Sequence, residues 1–259
     1  DMNAYREPWG KLREKLKSFD PDVVGISFRN IDSTEYTGCE SYYEDFIKAV
    51  KLIRGMKPAI KCIVGGSGFS IYAQYIMESV EGIDIGVYLE GEKIVQELLA
   101  DIDNAEKVKG CFFKDKKGGV IFTGGRNFGE NEFLRPSYEF FDLQLYTSFR
   151  MGGIGIQTKR GCGFKCIYCP YPFLEGHKLR LRDPSHVVDE IEFLVKNHQI
   201  KKFTFVDSVF NAPLPLAVTI CKEIISRKLD ISWASYTSVK GFTEEYARLA
   251  AEAGCVAFP

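Results

Sequence analysis

The sequence predicts an α/β protein built in two parts, a doubly wound parallel sheet followed by the first part of a β/α barrel. Three observations predict it. Short apolar runs alternate with amphipathic stretches of helical period along residues 22–102. A hairpin signal and an aromatic, irregular stretch then break that rhythm between residues 108 and 150. A second strand–helix series starts at residue 154 and runs to the end of the chain.

Each element has its own signal. Residues 22–28 (DVVGISF) follow the turn pair Asp20-Pro21 and read as a buried strand. Residues 42–54 are amphipathic. Residues 60–64 form a second strand that ends in Gly65-Gly66-Ser67-Gly68, and residues 69–80 read as one helix. Residues 83–89 and 92–102 give a third strand and a helix. Two strand-like runs flank Lys114-Asp115-Lys116-Lys117-Gly118-Gly119 as a hairpin. Residues 124–150 read as a linker too aromatic for a free tether. In the second series residues 154–158 are a strand, and Asp183-Pro184 opens a helix with Asp183 as N-cap. Val187, Val188, Ile191, Leu194 and Val195 line one face of that helix, while mid-helix Glu190 is expected in solvent or at the barrel bottom. Strands at 203–206, 231–236 and 255–258 alternate with helices at 214–227 and 244–252. The expected domains are therefore 1–123, a linker 124–150, and 151–259.

The bulk numbers narrow the function. The 259 residues carry a net charge of -1, with 45% hydrophobic and 27% charged residues. That is ordinary globular composition with no basic run for a nucleic-acid backbone. No apolar stretch reaches the roughly 18 residues of a membrane span, and no signal peptide opens the chain. Eight cysteines without a small disulfide framework suggest a reducing cytoplasm. Asp1 in place of Met, and a strand-like ending at Ala257-Phe258-Pro259, suggest a fragment truncated at both ends. A half-barrel would expose strand edges, so such a fragment is expected to be poorly soluble alone.

The chemistry concentrates in Cys162-Gly163-Phe164-Lys165-Cys166-Ile167-Tyr168-Cys169, a C-x3-C-x2-C loop directly after a strand. Thiolates suit iron–sulfur clusters or zinc. Three local thiolates leave one position of a four-iron core open. A zinc-stabilised, non-catalytic module is the alternative, but structural zinc usually closes with four ligands, and His177 is the nearest further candidate.

This loop, with the aromatic Tyr168 before its last cysteine, resembles the radical S-adenosylmethionine (SAM) signature. The resemblance implies a [4Fe–4S] cluster on Cys162, Cys166 and Cys169, and SAM chelated at the open iron and cleaved to a 5′-deoxyadenosyl radical. It also implies a partial (β/α)6 barrel with its site at the C-terminal strand ends, Tyr168 near the adenine, and an electron donor such as flavodoxin or ferredoxin. Asp207, at the end of the second barrel strand, stands where relatives hold SAM; an N-cap or turn role is the alternative. Arg180 and Arg182 are candidates for the methionine carboxylate, or surface ion pairs.

The Gly65-Gly66-Ser67-Gly68 turn invites a dinucleotide reading, but the third glycine of that fingerprint is missing. The turn instead resembles the Gly-Gly segment of Rossmann-like cobalamin-binding domains. Ser27-Phe28-Arg29 then stands in the S-x-L place, with Arg29 replacing Leu. Ser27, Arg29, Gly65 and Gly66 become cofactor-binding candidates, Arg29 facing the cobalt from below or pairing with an acid. Asp1-Met2-Asn3 would follow the domain's second strand, with its first strand and D-x-H-x-x-G loop upstream. The run from Ser27 to Asp32 also resembles the tryptophan-methylating branch.

Together the halves resemble class B radical SAM methylases. The implied function is methyl transfer to an unreactive carbon of a small molecule or natural-product precursor. A non-methylating cyclisation or rearrangement is the alternative. Methylthio transfer would need a second cluster, which the scattered cysteines do not offer.

Overall fold

The computed structural model describes residues 2, 5–33, 35–127, 133–147 and 153–258. The chain divides into two compact units, Asp1–Phe128 and Gly129–Pro259.

The first unit opens with α1 (Pro8–Phe19), which is absent from the expected elements. Trp9, Leu12, Leu16 and Phe19 recur there at helical spacing, yet none of its residues is buried. Then follow β1 (Val23–Ser27), α2 (Tyr43–Met56), β2 (Lys61–Gly65), α3 (Ser67–Ile71), α4 (Ala73–Ser79), β3 (Ile85–Val87) and α5 (Glu92–Ala100). A 3-10 turn (Ile102–Lys107) leads to the hairpin β4 (Cys111–Lys114) and β5 (Val120–Phe122). The sheet order is β1-β2-β3-β4-β5. The first three strands are parallel and the hairpin continues the sheet antiparallel.

Alternation along β2 explains the two layers of helices. Cys62 and Val64 enter a core with Phe46 and Val50 of α2 and Ile76 and Met77 of α4. Ile63 joins Ile85 and Val87 of β3 and Ile94 and Leu98 of α5 in a separate core. A strand buried on both faces reads as a continuous apolar run, which is why these strands were legible. The hairpin turn is held by Asp115, whose carboxylate accepts the amides of Lys117 and Gly119 at 2.8 Å each.

One expected helix is two. The run 69–80 breaks at Tyr72 (φ -124°, ψ 30°). Local tertiary bonds set the break: the Phe69 amide donates to the Phe28 carbonyl at 3.1 Å, and the Ser70 hydroxyl accepts the Leu89 amide at 2.9 Å.

In the second unit a short 3-10 turn (Tyr138–Phe140) and α6 (Gln144–Thr147) precede β6 (Ile154–Ile156). Next come a small ribbon of β7 (Lys159–Arg160) and β8 (Arg180–Leu181), enclosing α7 (Tyr171–Glu175), and then α8 (Pro184–His198). The series continues with β9 (Lys202–Phe205), α9 (Leu214–Ser226), β10 (Ser232–Ser235), α10 (Glu244–Glu252) and β11 (Cys255–Ala257). The four longer strands form one parallel sheet, in the order β11-β10-β9-β6. Sequential order in an all-parallel sheet is that of a barrel wall. The expected α/β fold class is thus observed in both halves.

The core of this unit joins Ile156, Phe203, Phe205 and Trp233 to apolar faces of α8, α9 and α10. Asp183 caps α8 as expected, accepting the Ser185 amide at 2.8 Å. For Glu190 the solvated alternative is overturned, since the residue is 3% exposed. It pairs with Arg182 at 2.6 Å and accepts the Tyr138 hydroxyl. Tyr138 and Leu143 are buried in this same core, so part of the stretch expected as a linker packs within the second unit. Of residues 124–150, 128–132 and 148–150 lie outside the described residues, as do Asp1, Asn3 and Pro259. Among the described residues no helix is long and apolar enough to cross a membrane.

Candidate functional site

Two candidate half-sites lie at C-terminal strand ends, one in each unit. In open α/β sheets that edge is where ligands bind, because the loops and helix N-termini there are free of packing.

The first half-site is the meeting of the β1 and β2 ends. The Phe28 amide donates to the Gly65 carbonyl at 2.8 Å, and the Ser67 hydroxyl donates to the Arg29 carbonyl at 2.9 Å. Gly66 has φ +97°, and a Cβ there would stand 2.7 Å from the Phe28 carbonyl oxygen. A Cβ on Gly68 would stand 2.9 Å from the Arg29 carbonyl oxygen. The chain can therefore bring these two loops side by side only with glycine at both positions. Ser27 and Arg29 are exposed, while Gly65 and Gly66 are half-buried. The four predicted residues are thus brought together where the two loops pack backbone against backbone.

The second half-site is the cysteine loop. Its mouth is closed by the ribbon, which pairs Lys159 with Leu181 and Arg160 with Arg180. Inside the mouth, the Gly161 amide donates to the Glu175 carboxylate at 3.1 Å and the Cys162 amide donates to the Gly176 carbonyl at 3.0 Å. Gly161 has φ +90°, and a Cβ there would stand 2.3 Å from the Lys178 carbonyl oxygen. Cys162 is buried, Cys169 is half-buried and Cys166 is exposed. Tyr168 is 85% exposed. The Cys169 amide donates to the Cys166 carbonyl at 3.2 Å, a tight turn between the last two cysteines.

Among the described residues, no three His, Cys, Asp or Glu side chains converge as ligands of a single metal ion. A four-iron core places each protein thiolate on a different iron, so its ligands need not meet at a point. Three thiols on one pinned loop fit that core by donor type and number. The zinc alternative gains no fourth ligand among the described residues.

Of the scattered thiols, Cys62, Cys111 and Cys221 are buried packing residues, while Cys39 is exposed. Burial pushes Cys62 and Cys111 up to about 11 and Cys221 up to about 12. A thiol so shifted is neither nucleophile nor ligand at neutral pH.

Asp207, expected to help hold SAM, is committed elsewhere. Its side chain is 1% exposed. It accepts the Thr158 amide at 2.8 Å, the Thr158 hydroxyl, the Lys159 amide at 3.2 Å and the Lys159 ammonium at 3.2 Å. Arg182 is likewise engaged, with Glu190 and with the Gln157 carbonyl at 2.7 Å, and Arg180 donates to the Glu175 carbonyl at 3.0 Å. Sequence reasoning missed Lys159 and Thr158 as site residues. A lysine in a basic pair before Gly161 carries no signal of burial.

Comparison with known proteins matches residues 1–99 to the B12 binding domain family. The chain is 28% identical over 244 residues to an uncharacterized methyltransferase of Pyrococcus horikoshii, covering 93% of this chain and 51% of that protein. It is 28% identical over 243 residues to the anaerobic magnesium-protoporphyrin IX monomethyl ester cyclase of Rubrivivax gelatinosus, covering 88% of this chain and 41% of the cyclase. Among solved structures it resembles the radical SAM methyltransferase TsrM of Kitasatospora setae with cobalamin and a [4Fe–4S] cluster bound. There the TM-score is 0.78 at 26% identity, over 96% of this chain and 51% of TsrM. A second structure of TsrM holds tryptophan and a SAM analogue, and matches with the same score. The chain spans about half the length of these relatives. A B12 binding domain match over residues 1–99, ahead of a barrel-type sheet that opens on the cysteine loop, makes the chain similar to cobalamin-binding radical SAM methyltransferases such as TsrM.

Proposed function

We propose that this chain is the cofactor-holding part of a cobalamin-dependent radical SAM methyltransferase that acts on an unreactive carbon of a small molecule. The observation that carries the reading is that each unit has a site of its own: a glycine turn at Gly65-Gly66 packed against Ser27-Phe28-Arg29 in the first, and a pinned three-thiol loop at a barrel strand end in the second. Residues 1–123 would hold the corrinoid and residues 151–259 the cluster, with 124–150 connecting them. When bound, the cluster would supply the electron that cleaves SAM, and cobalamin would carry the methyl group.

The chain's own residues would bind and orient. Gly66 and Gly68 would let the β1-end and β2-end loops close on each other beside the corrinoid's nucleotide tail, since a Cβ at either would strike the Phe28 or Arg29 carbonyl. Arg29, exposed at the β1 end, would stand against the bound corrinoid and add positive charge there. Cys162, Cys166 and Cys169 would leave one iron open for SAM, with Tyr168 beside the adenine. Reductive cleavage of SAM would draw one electron from outside the chain, and we assign a donor of flavodoxin or ferredoxin type acting in the cytoplasm. The similarity to the cyclase supports a second reading, a radical SAM reaction without methyl transfer.

The test is anaerobic reconstitution of the full-length protein with iron, sulfide and cobalamin, read by visible spectrum and metal analysis. About four irons and one cobalt per chain is the expected result. Iron without cobalt would favour the second reading, and no iron would overturn both.

A further inference from the structure

We propose that the buried Lys159–Asp207 pair is a positioning device for the cysteine loop, bolting the chain just before Cys162 to the end of the second barrel strand. The inference deepens the proposed cluster site and rests on it. Both side chains are essentially without solvent contact, at 2% and 1% exposure. Every donor to Asp207 comes from two consecutive residues, Thr158 and Lys159. The Lys159 ammonium also donates to the Phe210 carbonyl at 3.1 Å, on the far side of Asp207. Residues 158–159 are therefore clamped to residues 207–210. Two residues further on, the Gly161 and Cys162 amides are held by Glu175 and Gly176. Cys162 is itself held at the second anchorage and is buried, whereas Cys166, beyond it, is exposed.

Energetics argue that the pair is more than filling. Burying two charges costs several kcal/mol per ion, and a well-packed apolar pair of like volume is often at least as stable. A polar clamp adds direction: hydrogen bonds fix the strand end in one place and one register, which apolar contact does not. A three-thiol site gains from one thiol set in advance, because less loop entropy is lost on binding. Burial pulls the Lys159 ammonium down from its ordinary range and Asp207 opposes that shift, as expected of a cation held by its partner.

The test uses the full-length protein and two variants, Asp207→Asn and Lys159→Met. In Lys159→Met, Asp207 keeps the Thr158 amide, the Thr158 hydroxyl and the residue-159 amide, so that variant is the one expected to stay folded. The first readout needs no cluster: timed alkylation of the metal-free protein, mapped by mass spectrometry. Cys162 is expected to react about tenfold faster in both variants, with buried Cys221 of the same unit unchanged, as local rather than global opening requires. The second readout is iron release from the reconstituted protein to a chelator, expected to be faster in both variants. Unchanged Cys162 reactivity, or an equal rise at Cys221, would overturn the positioning role. A wild-type protein that takes up no iron, while Cys162 still responds to the variants, would overturn the cluster reading and leave the clamp standing.

Discussion

The ring of Phe69 lies over Gly86, so that a Cβ on Gly86 would stand 2.2 Å from the ring carbon Cζ. Phe69 is the residue whose amide ties the glycine turn to Phe28, and Gly86 is in the middle of β3. The sheet therefore sets the height of the turn through one ring. Gly86→Ala is expected to displace Phe69 and cost about 1–3 kcal/mol, as overpacking does. A urea midpoint checks the stability, and a visible titration with cobalamin checks whether the cradle moves with the ring.

Gly66→Ala tests the cradle directly. Gly66 has φ +97° and ψ 170°, a region open essentially to glycine alone. The substitution is expected to cost about 1–3 kcal/mol and to weaken corrinoid binding. Isothermal titration against wild type reads the second effect, and binding at wild-type strength would remove the turn from the site.

Cys166→Ala separates ligation from packing. Cys166 is exposed, so its loss should leave stability within about 0.5 kcal/mol of wild type. Iron uptake should nevertheless collapse. Thermal unfolding of the metal-free chain, beside iron analysis after reconstitution, distinguishes the two effects.

The Arg182–Glu190 pair is buried, with side chains 11% and 3% exposed. Arg182→Met would leave the carboxylate with the Tyr138 hydroxyl alone. Removing one partner of such a pair costs about 3–5 kcal/mol. Chemical denaturation of the variant measures this, and the double variant Arg182→Met/Glu190→Leu should regain part of the loss.

Alkaline pH should unfold the chain from a defined side. Burial, together with the Glu190 hydrogen bond, raises the Tyr138 phenol above its ordinary range. Burial also raises Tyr246. The unfolded chain releases these protons near pH 10 while the folded chain keeps them. Their contribution to stability is therefore complete below about pH 10 and is lost as pH rises towards the folded values. Urea midpoints from pH 8 to 11.5 should fall with pH, and Tyr138→Phe should fall less steeply over that range.

The sequence alone determined the alternation of strands and helices, the two-part organisation and the three thiols. Val23 to Ser27, Lys61 to Gly65 and the apolar face of α8 are local patterns, since burial on one face or both dictates residue type at fixed spacing. The cysteine spacing is local as well, because all three thiols sit on one loop. Tertiary structure alone decided what the polar residues do. Asp207 at a strand end reads as a ligand or as a cap, and Lys159 beside Arg160 carries no signal of its own; they are a buried pair from positions 48 residues apart. Glu190, mid-helix and polar, is buried because Arg182 and Tyr138 meet it there. A charge reveals its burial only through its partner, and a partner distant in the chain leaves no period to read.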